Sequence, residues 1–126
     1  MFPEKATIML IPKINEKVLM EKRPPSGIWG GLWCFIEVEE LSELDERLAK
    51  ESLHIVETKH LDPFRHTFSH FHLDIQPIVV NCERLHSEEV NENNQQQWYD
   101  LAQSNPVGFA ASTQKLISFL KQSNLF

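Results

Sequence analysis

The stretch 31–53, GLWCFIEVEELSELDERLAKESL, decides the fold because its character changes partway through. It opens on a glycine and a dense apolar run, Leu32, Trp33, Cys34, Phe35 and Ile36, which predicts a short buried strand from about Leu32 to Glu37. Leu41, Leu44, Leu48 and Ala49 then recur at helical spacing, with Glu43, Glu46, Arg47 and Lys50 on the other side. Ser42 followed by Asp45 has the form of a capping box, so an amphipathic helix is predicted from about Ser42 to Ser52. The unit is therefore strand, loop and helix. It is strongly acidic, with eight Asp or Glu against two Lys or Arg over residues 37–57.

Working toward the N-terminus, Thr7 to Ile11 and Lys17 to Lys22 read as paired strands around the polar break Lys13-Ile14-Asn15-Glu16. Between them and the acidic unit lies Arg23-Pro24-Pro25-Ser26-Gly27, then Gly30-Gly31 among Trp29, Leu32, Trp33 and Phe35. Two prolines and paired glycines there predict an irregular loop pinned by aromatics. Working the other way, Leu53 to Leu61 predicts a strand, and Pro63 to Val80 predicts two strands joined by a tight loop at Ser69-His70. Asn91 to Gln97 reads as an exposed polar loop before a short Trp98-Tyr99 strand. Asn105-Pro106 and Gly108 mark a turn, after which Ser112 or Thr113 caps a final helix carrying Leu116, Ile117 and Leu120 on one face. The order predicts an α+β fold, a mixed β-sheet with two packed helices.

Composition narrows the class. At 126 residues the chain fits one domain, and 41% apolar with 24% charged residues is too apolar for disorder. No run approaches the roughly 20 apolar residues of a membrane span, and the N-terminus lacks a basic region followed by an apolar signal. A location in the cytoplasm, at the nucleoid in a bacterium, is expected. The two cysteines, Cys34 and Cys82, sit in apolar runs without metal-ligand spacing and read as buried reduced thiols. A net charge of −6 excludes a general electrostatic binder of nucleic acid. The acidic excess is nevertheless local. Residues 58–78 carry two basic and two acidic groups together with four of the six histidines, so this stretch becomes positive if they protonate.

The glycine at 31, Glu37 and the acidic helix resemble the strand–loop–helix of the Nudix hydrolases, which cleave nucleoside diphosphate linkages. That family's signature continues with Arg-Glu, an apolar residue and a pair of adjacent glutamates that hold magnesium. Several carboxylate oxygens must converge on the ion, so the pair is a chemical requirement. The corresponding positions here are Asp45, Glu46 and Arg47, then Ala49 and Lys50 in place of the two glutamates. The resemblance thus implies a Nudix-like, MutT-like fold without a metal site or catalytic residues. The helix itself reads as a solvated acidic face packing Leu44 and Leu48.

A second stretch, Phe64-Arg65-His66-Thr67-Phe68-Ser69-His70-Phe71-His72-Leu73, together with Arg23 to Phe35, is similar to the C-terminal domain of the MutY family of adenine DNA glycosylases. The likeness runs from about Ala6 to the last helix. It implies a single C-terminal domain over residues 1–126 that recognises 8-oxoguanine opposite adenine in double-stranded DNA. On that reading the domain acts as a monomer, is not an enzyme by itself and touches no membrane. The helical catalytic domain, and the four-iron four-sulfur cluster of most members, belong to a part of such enzymes that this chain does not contain. The resemblance assigns lesion binding to Phe68, Ser69 and His70. Arg65, His66, Lys22 and Arg23 are candidate DNA contacts, while Trp29, Trp33 and Phe35 read as core and loop-anchoring aromatics.

The chemistry of the lesion agrees with such a loop. Guanine offers acceptors at N7 and O6 on its major-groove edge, whereas oxidation turns N7 into a donor and adds a carbonyl at C8. A reader needs an acceptor for N7–H, and the Ser69 hydroxyl is one. His70-x-His72 has the spacing of a metal pair on one strand, but only Asp74 accompanies it, and alternation between core and solvent explains it equally well. Two other functions remain open from sequence: a hydrolase of oxidised guanine nucleotides, and a protein-docking module using the acidic face at Glu43 and Glu46.

Overall fold

The computed structural model describes residues 3–85, 95–102 and 108–122. Eight strands form one sheet: β1 (Glu4–Ile14), β2 (Lys17–Lys22), β3 (Trp33–Cys34), β4 (Ile36–Val38), β5 (Leu53–His60), β6 (Phe64–Thr67), β7 (His72–Arg84) and β8 (Gln96–Asp100). Among the described residues two α-helices, α1 (Leu44–Ala49) and α2 (Ala111–Gln122), accompany the sheet. The α+β reading and the mixed sheet hold. β1 runs parallel to β7 over ten residue pairs from Glu4↔His72 to Lys13↔Asn81, and the other pairings are antiparallel.

Strand alternation sends successive side chains to opposite faces, and so divides the core in two. Met9, Ile11, Val18, Met20, Ile75 and Val79 meet Leu116, Ile117 and Leu120 of α2 on one side. Leu10, Leu19, Ile36, Ile78 and Val80 meet Leu44 and Leu48 of α1 on the other. Each such side chain, buried from water, contributes about 1.5–3 kcal/mol.

The single strand predicted over Leu32 to Glu37 is two. β1 and β2 pair only at Lys13↔Val18 and Ile14↔Lys17 and then splay. Into that wedge go β3, which pairs with β2, and β4, which pairs with β1. Phe35, 1% exposed, is the crossover residue between them.

The first helix is shorter than predicted and differently capped. Leu41–Glu43 form a 3-10 turn, and α1 spans only Leu44–Ala49. Glu43, not Ser42 or Asp45, closes the N-terminus: its Oε2 accepts from the N–H groups of Glu39 (2.9 Å) and Glu40 (2.8 Å). A longer glutamate arm reaches back over the turn where Asp45 lies inside the helix. The chain leaves α1 through Ser52 at φ +58°. In α2, Ala110 occupies the capping position, its carbonyl accepting from Gln114 N–H at 2.9 Å. Ser112 and Thr113 therefore lie inside the helix, buried, rather than capping it.

The hairpin predicted at Ser69-His70 is present between β6 and β7, and β8 is longer than the predicted Trp98-Tyr99 pair. Residues 91–94 of the predicted polar loop and the Asn105-Pro106 part of the following turn lie outside the described residues.

Candidate nucleic-acid interface

β6 and β7 pair from Phe64↔Ile75 to Thr67↔His72, and the turn is closed by Phe68 N–H donating to Phe71 O at 2.8 Å. Ser69 and His70 occupy the two central positions of that turn and are exposed. Neither has a positive φ. Phe68, one residue below the tip, is half-buried. Its ring stacks on Phe71 (centroids 4.5 Å, 22°) and meets His66 (4.6 Å) and Trp29 (5.1 Å). Trp29 also meets His66 edge-on at 5.3 Å, and Lys5 Nζ sits 4.6 Å over the Phe71 ring. The tip thus stands on an aromatic base. Pairs of this kind contribute about 0.5–1.5 kcal/mol each beyond their buried area.

The loop that delivers Trp29 is tightly bound to itself. Arg23 Nε donates to Ile28 O (2.9 Å), and its Nη1 pairs with Glu37 Oε2 (2.9 Å). Gly31 N–H is shared between the carbonyls of Arg23 (3.1 Å) and Pro24 (3.0 Å), and Leu32 N–H reaches Trp29 O (3.1 Å). Gly30 packs so closely that a Cβ there would lie 2.5 Å from Pro25 O. Trp29 itself holds φ +54°, an uncommon state for a bulky residue, which persists only where its surroundings fix it.

The remaining candidates divide. Arg65 makes a bidentate pair with Asp74, at 2.7 and 3.0 Å, and reaches Glu4 at 2.9 Å. The hydrogen bond from Arg65 holds the Asp74 carboxyl below the usual carboxylate range. Arg65 is exposed but its charge is already matched, and Arg23 is engaged within its own loop. His66 belongs to the aromatic base, and His72 Nδ1 lies 2.9 Å from Thr67 Oγ1. Lys22 is exposed at the end of β2, at the mouth of the Arg23 loop. The structure thus gathers Phe68, Ser69, His70 and His66 and keeps Lys22 and Arg23 on the neighbouring loop. Sequence reasoning missed Lys5, whose place over Phe71 follows from the long-range β1–β7 register and leaves no local signal.

An open groove of about 580 Å³ lies beside α1, lined by Lys5, Thr7, Glu37, Glu39, Glu46 and Lys50 among others. This is where the acidic stretch of sequence faces. Glu37 is paired with Arg23, and Glu43 is spent on backbone N–H groups. Arg47, at the groove's edge, pairs with Glu21 and Glu51. Lys50 brings a cation where a divalent ion would need carboxylate oxygen, and Ala49 brings no ligand. Among the described residues no three His, Cys, Asp or Glu side chains gather as a metal site. The groove does not fit the magnesium that a diphosphate hydrolase of this fold requires.

Cys34 and Cys82 are buried and free, as expected. Burial pushes both thiols up, Cys82 to about 11.

A family model described as a NUDIX domain matches residues 7–119. The chain is 29% identical over 98% of its length to the adenine DNA glycosylase of Buchnera aphidicola subsp. Acyrthosiphon pisum. It is 31% identical over 94% of its length to the adenine DNA glycosylase of Buchnera aphidicola subsp. Schizaphis graminum. It spans about a third of those relatives, 35% and 34%, and the part matched is C-terminal. Among solved structures, the C-terminal domain of mouse MUTYH, in complex with human PCNA, superposes with TM-score 0.71 at 18% identity, covering 93% of this chain and 87% of that one. The MutT NUDIX hydrolase from Burkholderia pseudomallei gives TM-score 0.65 at 14% identity, over 91% and 96%. No described helix is long and apolar enough to cross a membrane.

Proposed function

The chain belongs to the NUDIX domain family, and from that premise we propose that it is the lesion-recognition domain of an adenine DNA glycosylase, reading 8-oxoguanine opposite adenine without hydrolysing nucleotides. The observation that carries this reading is the hairpin tip: Ser69 and His70 stand exposed on a fixed aromatic base, at the end of the sheet's longest strand. A hydroxyl on such a support is presented at a defined height and direction. In this reading the Ser69 hydroxyl accepts from N7–H of the oxidised base, whereas toward guanine, whose N7 is an acceptor, it could only donate and would meet no C8 carbonyl beside it. A backbone N–H of the tip is the complementary donor to the C8 carbonyl. His70 donates to a phosphate or base edge, and Phe68 stacks at the step beside the lesion or supports the tip from below.

Adenine excision requires a base flipped into a catalytic pocket, which is work for another domain. Much of the affinity for DNA also comes from that domain, since few unpaired cations surround the tip. The domain then acts wherever the chromosome is, with double-stranded DNA and the catalytic part as its partners. Any iron–sulfur cluster would be held by that catalytic part, because two buried cysteines on different strands supply too few ligands.

The test is a chimera in which this chain replaces the corresponding part of an adenine DNA glycosylase. Ser69→Ala combined with Phe68→Ala should lower selectivity for adenine opposite 8-oxoguanine over adenine opposite guanine by about tenfold or more, the scale of one base contact. Unchanged selectivity would remove the assignment. The competing reading, a hydrolase of oxidised guanine nucleotides, predicts magnesium-dependent release of phosphate or pyrophosphate from 8-oxo-dGTP. The groove chemistry predicts none.

A docking role for the same domain has support in the mouse MUTYH domain, which was solved with PCNA bound. Charge reversal at Glu39 and Glu46 tests the acidic face without touching Glu43, whose carboxylate holds the helix start.

A further inference from the structure

We infer that Trp29 is a positioning residue for the reading tip. Its side chain, fixed by the Arg23 to Gly31 loop, sets where Ser69 and His70 stand. The inference rests on the recognition reading above and adds to it a residue outside the hairpin.

The argument begins with what holds the tip. One backbone hydrogen bond, Phe68 N–H to Phe71 O, closes the turn beyond the last β6–β7 pair. One bond does not fix an exposed four-residue turn, so its geometry depends on side chains below it. His66 and Phe68 are two apart and project to the same face of the strand. Both are met there by one indole, at 5.3 and 5.1 Å. Phe71 stacks on Phe68, and Lys5 Nζ sits over the Phe71 ring. Among the described residues, Trp29 is the one member of this base that comes from a separate loop rather than from the hairpin or its neighbouring strand β1. Without it, Phe68 and His66 both lose an aromatic neighbour that lies outside the hairpin.

The second step concerns how Trp29 is held. Its backbone sits at φ +54° between flanking residues that are themselves bonded and closely packed. Gly30 has no room for a Cβ against Pro25, Gly31 is bonded to two carbonyls, and Arg23 binds the Ile28 carbonyl. Arg23 is itself fixed by Glu37 on β4. A path of direct contacts thus runs from β4 through Arg23 and the loop to Trp29, and from Trp29 to the tip. Such a residue acts on recognition through Phe68 and His66 and needs no contact with DNA.

The experiment pairs two readouts on Trp29→Ala and Trp29→Phe. In the 126-residue chain, amide exchange of Phe68 and the ring resonances of His66 report the tip directly, while the amides of Met9 and Ile78 report the core. In the chimera described above, selectivity for adenine opposite 8-oxoguanine reports function. Trp29→Ala should speed Phe68 exchange and lower selectivity, each by about tenfold, from the loss of two aromatic contacts. Trp29→Phe should retain both within about threefold. The inference is overturned if Trp29→Ala leaves the tip signals unchanged, if it loosens the tip while selectivity persists, or if core amides accelerate in the same proportion. Failure of the recognition reading is separate: it appears as unchanged selectivity in the Ser69→Ala, Phe68→Ala variant while the tip signals still respond to Trp29.

Discussion

Gly30→Ala is the sharpest test of the loop that carries Trp29. A Cβ at residue 30 would lie 2.5 Å from Pro25 O, 2.8 Å from Pro25 C and 3.1 Å from Pro24 O. These are backbone atoms of two consecutive prolines whose φ is locked, so rotating a side chain does not relieve the overlap. Moving Pro24 disturbs its carbonyl, which accepts from Gly31 N–H at 3.0 Å. Overpacking of this kind costs about 1–3 kcal/mol, and weakening one partly buried hydrogen bond adds about 1 kcal/mol. The expected total of about 2–4 kcal/mol lowers Tm by roughly 8–15 °C for a domain of this size. Two other glycines calibrate the number. Gly31→Ala meets open space but sits at φ +75°, so conformational strain alone should cost about 1–2 kcal/mol. Gly108→Ala meets only Leu32 Cδ2 at 3.4 Å, an ordinary contact, and should change stability by less than about 0.5 kcal/mol. Calorimetric melting of the three variants should rank the losses as Gly30, then Gly31, then Gly108. A Gly30→Ala protein melting within about 2 °C of the parent, or below which Gly108→Ala melts, would refute the reasoning.

Ser52→Gly releases a non-glycine residue from φ +58° at the exit of α1. Set against the greater freedom of glycine in the unfolded chain, it should raise stability by about 0.5–1 kcal/mol, read as a higher urea midpoint. The Asp74 carboxyl is held down by its hydrogen bond from Arg65, so the stability it contributes is present above its ordinary range and is lost as pH falls through the lowered value. Arg65→Gln should return its midpoint to the ordinary range in an NMR titration. An unmoved midpoint would show that the ion pair is not the cause. The Cys82 thiol, raised by burial, favours the folded state below the usual thiol range and loses that contribution as pH rises toward about 11. A thiol-reactive disulfide reagent at pH 8 should therefore modify neither cysteine in the native protein and both after unfolding. Fast native-state labelling would contradict the burial argument.

Where a structural feature depended on neighbours in sequence, it was legible. The Asn15 hairpin, the tip at Ser69-His70 and the apolar face of α2 follow from turn chemistry and period alone. Ala49 and Lys50, standing where the family's paired glutamates belong, were legible too, and the groove places Lys50 with Glu46 in its lining. Partner choice across the chain was not legible. The division of Leu32 to Glu37 into β3 and β4 depends on β1 and β2 splaying apart, a tertiary event. Glu43 replaced Ser42 and Asp45 at the helix start because the 3-10 turn shifts the register by a residue or more. Arg65 and Arg23 read as candidate DNA contacts in the sequence, which does not show the carboxylates of Asp74, Glu4 and Glu37 that folding sets beside them. Charge in a sequence is local, whereas its neutralisation depends on residues brought near by folding. For the same reason Trp29 reads as a generic anchoring aromatic in the sequence, while its contacts with His66 and Phe68 give it a definite task.

The parallel pairing of β1 with β7 also sets an order of events during synthesis. Glu4 finds its partner at His72, so one edge of β1 stays open until residues 72–81 have been translated. At about 5–20 residues per second, the wait is roughly 3–14 s. During that interval only the short β2 and β4 pairings cover part of β1, and Met9, Leu10 and Ile11 lack the β7 side of their core. The arrival of β7 covers that open edge and raises the Ser69-His70 tip in the same step, while β8 joins β2 only afterwards.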